Sequence, residues 1–155
     1  MAVYLDGSTQ YLSGGPTVPS IATHWSCSVW VYSTNFSSDA IITGVSNSGG
    51  LGLGVPDSAT LQAVFYTVNA YTSDALSLSA ATWNHFLFTK NGSTLSYKVN
   101  NVSKGSDTVA SFVAAASGGL YVGARNSGGT ADKFLPGRIA ELAFWDSDVS
   151  GSSGT

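Results

Sequence analysis

Charge is scarce in this 155-residue chain. Charged residues make up 10% of it, against about 25% in ordinary soluble domains, and Glu141 is the only glutamate. The six Lys and Arg residues form no cluster, and the formal net charge is −3. The positive patch that nucleic-acid binding requires is therefore missing. We exclude nucleic acid as a partner.

Cysteine and long apolar runs are equally scarce. The single cysteine, Cys27, excludes an internal disulfide and a cysteine-based zinc cluster. Its apolar surroundings predict a buried, unreactive thiol. No stretch reaches the roughly 18 apolar residues of a membrane-spanning helix. The start MAVYLDG has neither the basic n-region nor the apolar h-region of a signal peptide. We expect no membrane insertion and, for the sequence as written, no export by a signal peptide.

Small polar residues and short apolar runs are abundant. The chain has 25 Ser, 14 Thr and 18 Gly, a composition typical of turns and half-exposed strands. About twelve short runs of aliphatic and aromatic residues alternate with turn residues, and none sustains a helical period. We predict an all-β, two-layer antiparallel sandwich of about twelve strands with little helix. Residues 1–149 form the single predicted domain, and residues 150–155 a flexible tail.

The segment WNHFLFTKNGSTLSYKVNN predicts a β-hairpin that places a histidine on a strand. Asn91-Gly92 is a strong hairpin turn signal, because both residues accept positive φ. His85 then shares a face with Trp83 and Leu87. We interpret His85 as a core histidine hydrogen-bonded to backbone or to a hydroxyl, in preference to a general base.

Aromatic side chains divide into a predicted core set and a candidate binding set. The central strands are apolar on both faces, which predicts a sheet covered on both sides. The core set is Trp30, Trp83, His85, Phe144 and Trp145. Three other rings are candidate platforms for a sugar or a protein, with a core position as the open alternative: Trp25, Tyr66 and Tyr71.

Five segments in order resemble the laminin G-like, concanavalin A-like lectin/glucanase family. They are AVYLDGSTQYLS, SCSVWVYS, WNHFLFTKNGSTLSYKVNN, LYVGARNSGG and FLPGRIAELAFWDSDVS. Together they span most of the chain. The resemblance implies a jelly-roll β-sandwich.

The resemblance also implies two possible activities, glycan hydrolysis and calcium binding. Glycanases of this type need two carboxylates close together. The acids here are not paired along any predicted strand, so we expect no enzyme, no catalytic residue and no cofactor.

Laminin G-like domains often bind calcium, and four isolated aspartates lie beside turns where oxygen ligands could converge. They are Asp6, Asp57, Asp107 and Asp132. Asp132 is the best calcium candidate, with Asx-turn duty as the alternative.

Two functions follow from these observations. The first is a non-catalytic structural or adhesion module on the surface of a phage virion, as a capsid decoration or tail-associated protein assembled in the host cytoplasm. It would bind virion subunits or itself, and host glycans. This reconciles an extracellular type of composition with the absent export signal. The alternative is a soluble or excised lectin-like carbohydrate-binding domain that acts outside the cell. A row of exposed aromatics on a concave face would favour the lectin, and a flat apolar patch the virion module.

Overall fold

The computed structural model describes residues 1–14, 23–36, 40–44, 51–57, 60–65, 69–73, 76, 78–109, 120–127, 130–147 and 149. These residues are all-β, with fourteen short strands and no helix. The strands are β1 (Ala2–Asp6), β2 (Leu12–Gly14), β3 (His24–Ser33), β4 (Ala40–Gly44), β5 (Leu51–Asp57), β6 (Thr60–Phe65), β7 (Asn69–Thr72), β8 (Thr82–Asn91), β9 (Thr94–Val99), β10 (Val102–Thr108), β11 (Leu120–Val122), β12 (Arg125–Ser127), β13 (Thr130–Asp132) and β14 (Pro136–Trp145). The predicted fold class is confirmed. The predicted tail, 150–155, lies outside the described residues.

Two six-stranded antiparallel sheets form the sandwich. The first has the order β1-β14-β3-β8-β9-β10 and the second the order β2-β11-β4-β5-β6-β7, while β12 and β13 pair separately. The long strands β14, β3 and β8 lie side by side in the middle of the first sheet. Their side chains alternate between the core and the outer face of the sheet.

The core lies between the sheets and is filled by one side of each central strand. On β3 the inward residues include Cys27, Val29 and Val31, and on β8 they include Phe86 and Phe88, all with no exposed surface. Each of these Val and Phe side chains stabilises the fold by about 1.5–3 kcal/mol relative to an exposed position. The cluster also includes Leu53 and Val55 of β5, Leu95, Tyr97 and Val99 of β9, and residues of β1, β11, β14 and loops. Cys27 is a buried free thiol, as predicted.

Two tight turns connect β8, β9 and β10. The predicted hairpin is confirmed, but its turn lies one residue later than expected, because Asn91 pairs with Thr94 and leaves Gly92-Ser93 as the loop. Gly92 alone has positive φ there (58°), the pattern of a type II′ turn. Asn100 and Asn101 both have positive φ (49° and 65°), which gives a type I′ turn.

A β-bulge in β14 changes which of its side chains face the core. The pairing with β3 shifts between Ala140 and Ala143, and Glu141 within the bulge has φ 52°. Ile139 is buried before the bulge, and Phe144 packs against the same core after it. Strict alternation would have put these two residues on opposite faces, and the extra residue in the bulge brings both to the core.

Candidate functional site

The exposed aromatic side chains of the described residues all lie on the outer face of the first sheet. Tyr4 of β1 is 65% exposed, Trp30 of β3 is 36% exposed and Trp145 of β14 is 38% exposed. The half-buried rings of Tyr32 and Trp83 occupy the same face. We call these five residues the aromatic face. Exposed aromatics gathered on one surface of a domain mark a binding surface more often than a structural one.

One row of the aromatic face crosses four adjacent strands. Tyr4 lies opposite Arg138, Arg138 opposite Tyr32, and Tyr32 opposite Trp83. The Tyr32 and Trp83 ring centroids are 5.7 Å apart, and the Arg138 guanidinium carbon is 5.5 Å from the Tyr32 ring centroid. With strands about 4.8 Å apart, the row is about 14 Å long. It is long enough to contact a short oligosaccharide.

A polar group lies beside the next ring of the face. Trp30 is opposite His85 across the β3–β8 pair, with 5.1 Å between their ring centroids. The Ser28 hydroxyl and His85 Nε2 share a hydrogen bond of 2.6 Å. Partial burial lowers the pKa of His85, and the nearby Glu141 carboxylate opposes that shift. An imidazole therefore packs beside Trp30, with a hydroxyl bonded to it and a carboxylate nearby.

Small residues leave space between these side chains. Ala2 and Ala140 lie on the same row as Trp30, and Ala143 lies opposite Ser28. The bulge directs Glu141, a single carboxylate, onto this part of the surface in a left-handed conformation that costs a non-glycine residue about 1–3 kcal/mol. A strained residue beside an exposed aromatic row is the combination expected at a binding site.

Three sequence assignments of tryptophan are wrong. Trp25, a candidate platform, has no exposed surface and lies in the core, because it shares the inward side of β3 with Cys27 and Val29. Its indole N–H has no hydrogen-bond partner among the described atoms. Trp30 and Trp145, assigned to the core, are exposed on the outer face. The side of the strand, rather than ring size, decides burial.

The remaining predicted residues have mixed outcomes. Trp83 and His85 are half-buried on the outer face rather than between the sheets, although His85 has the predicted hydroxyl partner. Phe144 is partly buried and packs against the core. Tyr71 pairs with Ala63 in the backbone of β6 and β7, and its side chain lies outside the described set. Tyr66 lies outside it altogether.

Asp132, the calcium candidate, is held by an arginine. It lies opposite Arg125 in the β12–β13 pair, and the guanidinium donates from Nε to Oδ1 at 2.7 Å and from Nη2 to Oδ2. Both carboxylate oxygens are thus committed to a bidentate ion pair. Calcium binding at Asp132 stays a prediction, and this ion pair opposes it because the guanidinium occupies the side of the carboxylate that a cation would need.

Two of the other aspartates are also occupied. The Asp6 carboxylate accepts backbone N–H bonds from the turn that follows β1, at 2.9 Å from Ser8, Thr9 and Gln10, which lowers its pKa. Asp107 accepts a bond of 2.9 Å from the Tyr97 hydroxyl. Within the described segments, no three His, Cys, Asp or Glu side chains converge on a point that could hold a metal ion.

A small pocket of about 180 Å³ lies at one edge of the first sheet. Leu76, Leu78, Val99 and Val102 form its apolar walls, and Asn84, Asn100 and Lys104 supply polar groups. Asn100 Nδ2 donates to Asn84 Oδ1 at 3.2 Å, and Asn100 Oδ1 accepts from the His85 backbone N–H at 2.9 Å. These bonds stabilise the β9–β10 turn, so we assign the amides a structural role.

The profile of the concanavalin A-like lectin/glucanases superfamily matches residues 6–153. The chain belongs to this superfamily. The predicted family is confirmed. No curated protein sequence matches the chain significantly, and the part of the chain described contains no helix with the length and apolar character needed to cross a membrane.

Solved structures with this fold include several carbohydrate-binding domains. The CBM40 domain of the Ruminococcus gnavus IT-sialidase, bound to α2,3 sialyllactose, is similar with a TM-score of 0.74 and 8% identity, over 97% of this chain and 94% of that one. Domain 4 of the extracellular arabinanase AbnA from Geobacillus stearothermophilus, in complex with arabinotriose, has a TM-score of 0.68 and 14% identity, over 95% and 82%. Mouse laminin α1 domains LG4-5 have a TM-score of 0.68 and 14% identity, and this chain spans 40% of their length.

Proposed function

We propose that this chain is a non-catalytic glycan-binding module that holds a short saccharide against the aromatic face. The observation that carries the proposal is the position of Tyr4, Trp30 and Trp145, the exposed aromatics of the described residues, on one side of one sheet. Exposed aromatic rings gathered on one face of a domain are typical of a ligand-binding surface. The bound saccharides of the sialidase CBM40 and the arabinanase domain support the same reading.

The chemistry of the face suits a sugar. Aromatic rings offer flat apolar surface, which packs against the C–H side of a pyranose, and they lose little conformational entropy when they do so. The Ser28 hydroxyl is hydrogen-bonded to His85, which packs against Trp30, and the Glu141 carboxylate lies near the same histidine, so polar groups are available to the ring hydroxyls of a sugar. A few placed polar groups around an apolar contact are the usual pattern of a ligand site.

The same face does not meet the requirements of glycoside hydrolysis. That reaction uses two carboxyl groups about 5–9.5 Å apart. Glu141 lies on β14, and the other described acids of this sheet are engaged elsewhere: Asp6 of β1 accepts backbone N–H bonds from the turn that follows it, and Asp107 of β10 accepts a bond from the Tyr97 hydroxyl. Ser28, His85 and Glu141 include the residue types of a hydrolytic triad, but no hydrogen bond joins Glu141 to His85 in the described structure. A triad needs that bond to orient its base. We therefore assign these groups to binding.

The role on a phage virion stays a prediction from composition, as does the virion location. An adhesion module on a particle would use the same face to contact host glycans. Sedimentation of native material with mass spectrometry distinguishes the contexts. Co-sedimentation with particles supports the virion role, and a slow soluble peak supports an extracellular lectin.

Glycan binding is tested by screening the full chain on a glycan array and measuring each hit by isothermal titration calorimetry. Trp30→Ala should abolish binding of the hits. The matched control is Val102→Ala, which trims an exposed apolar residue (56%) on edge strand β10 and should leave affinity unchanged. Equal affinity in wild type and Trp30→Ala, with both proteins folded, would refute the proposal. So would the absence of any hit.

A further inference from the structure

Arg138 is an exposed cation set within the row of tyrosines. It lies between Tyr4 and Tyr32 in the register of β1, β14 and β3. Its guanidinium carbon is 5.5 Å from the Tyr32 ring centroid, within the range of a cation–π contact. The described residues place no carboxylate at ion-pair distance from it. In contrast, Arg125 is fully engaged by Asp132.

The geometry points to a saccharide with one carboxylate, bound so that Arg138 pairs with the acid group while the aromatic face contacts the sugar ring. This inference rests on the proposed function and names the class of glycan. A guanidinium stacked on a tyrosine keeps its N–H edges free and pre-oriented. Those edges match the two oxygens of a carboxylate.

The rest of the face argues against a polyanionic chain. Glu141 lies three positions after Arg138 on β14, close enough to His85 to affect its pKa. A second acid group on the ligand would approach this carboxylate, which repels it. The formal net charge of −3 acts in the same direction at longer range. The carboxyl of the ligand therefore sits at the Arg138 end of the face, and neutral hydroxyls lie toward Glu141.

The test compares acidic and neutral saccharides of matched structure by titration calorimetry with the full chain. One pair is 3′-sialyllactose and lactose, and the other is a disaccharide ending in glucuronic acid and its glucose counterpart. The pairs distinguish the two sources of a carboxylate. Heparin serves as the polyanion. The variants are Arg138→Gln, which removes the charge, and Arg138→Lys, which keeps the charge but loses the paired guanidinium N–H groups that bind both carboxylate oxygens. Lys104→Gln removes a cation on β10 as the control.

We expect the acidic member of at least one pair to bind at least about tenfold more tightly than its neutral partner, the lower range for a hydrogen bond to a charged group. Arg138→Gln should bring that ratio close to one while neutral binding persists, Arg138→Lys should restore part of it, and Lys104→Gln should leave it intact. Equal binding of both members by wild type would overturn the inference and leave glycan binding standing. A preference that survives Arg138→Gln, or tighter binding of heparin, would also overturn it. No binding of any saccharide would refute the proposed function itself.

Discussion

Replacement of Gly137 by alanine tests the strand register that builds the aromatic face. A Cβ at this position would lie 2.0 Å from the Tyr32 carbonyl oxygen and 2.9 Å from the Ser33 Cα. Ordinary non-bonded contacts lie at about 3.5 Å, so β14 and β3 would have to separate by about 1.5 Å. Both obstructing atoms are backbone, and neither can rotate away. The separation would also move Arg138 away from Tyr32, its partner on the row.

The expected cost is about 3 kcal/mol, the upper part of the usual range for overpacking. At roughly 2–4 °C per kcal/mol for a chain of this size, the melting temperature should fall by about 6–12 °C. Urea unfolding and calorimetry measure both quantities. Gly14→Ala is the control, because no atom lies within 4 Å of the added Cβ, and its stability should stay within about 0.5 kcal/mol of wild type. A Gly137→Ala protein that melts within about 2 °C of wild type would refute the close approach.

Four further predictions concern charged groups. Backbone N–H bonds lower the pKa of Asp6, so its stabilising effect is present above about pH 4 and is lost as the pH falls. In urea titrations from pH 6 to 2, Asp6→Asn should therefore lose less unfolding free energy than wild type as the pH falls. Burial lowers the pKa of His85 from 6.5, so the folded state resists protonation and stability should decline as the pH falls below that value. An imidazole pKa of 6.5 or above by NMR would contradict this. Arg125→Met should cost no more than about 1 kcal/mol, because its pair with Asp132 is partly solvent-exposed. Calcium should leave the melting temperature of wild type and of Asp132→Asn equally unchanged.

The strand pattern and family were predictable because they depend on local signals. Short apolar runs separated by turn residues predicted the all-β class, and the Asn91-Gly92 dipeptide predicted the hairpin. The exact loop was off by one residue, since Asn91 and Thr94 pair and a type II′ turn needs positive φ at its first central residue only. Ser93 therefore takes the second turn position.

The candidate site was harder to predict because both sides of β3 are apolar. Trp25, Cys27 and Val29 alternate with Trp30 and Tyr32, and the sequence does not show which set faces the second sheet. Trp25 and Cys27 are two residues apart and therefore share one side of the strand, so the predicted burial of Cys27 implies the burial of Trp25. The role of Arg138 depends on the pairing of β1, β14 and β3, strands far apart in sequence. No local pattern reports such pairing.

The most direct test of the central claim uses the four tryptophans of the chain as reporters. Three lie on the outer face, and Trp25 is fully buried on the other side of the same sheet. Each indole N–H gives a resolvable NMR signal that can be assigned by single Trp→Phe variants. Titration with a saccharide hit should shift the Trp30 and Trp83 signals and leave the Trp25 signal in place. Saturating binding without shifts at Trp30 and Trp83 would contradict the account, because the sugar would then bind elsewhere.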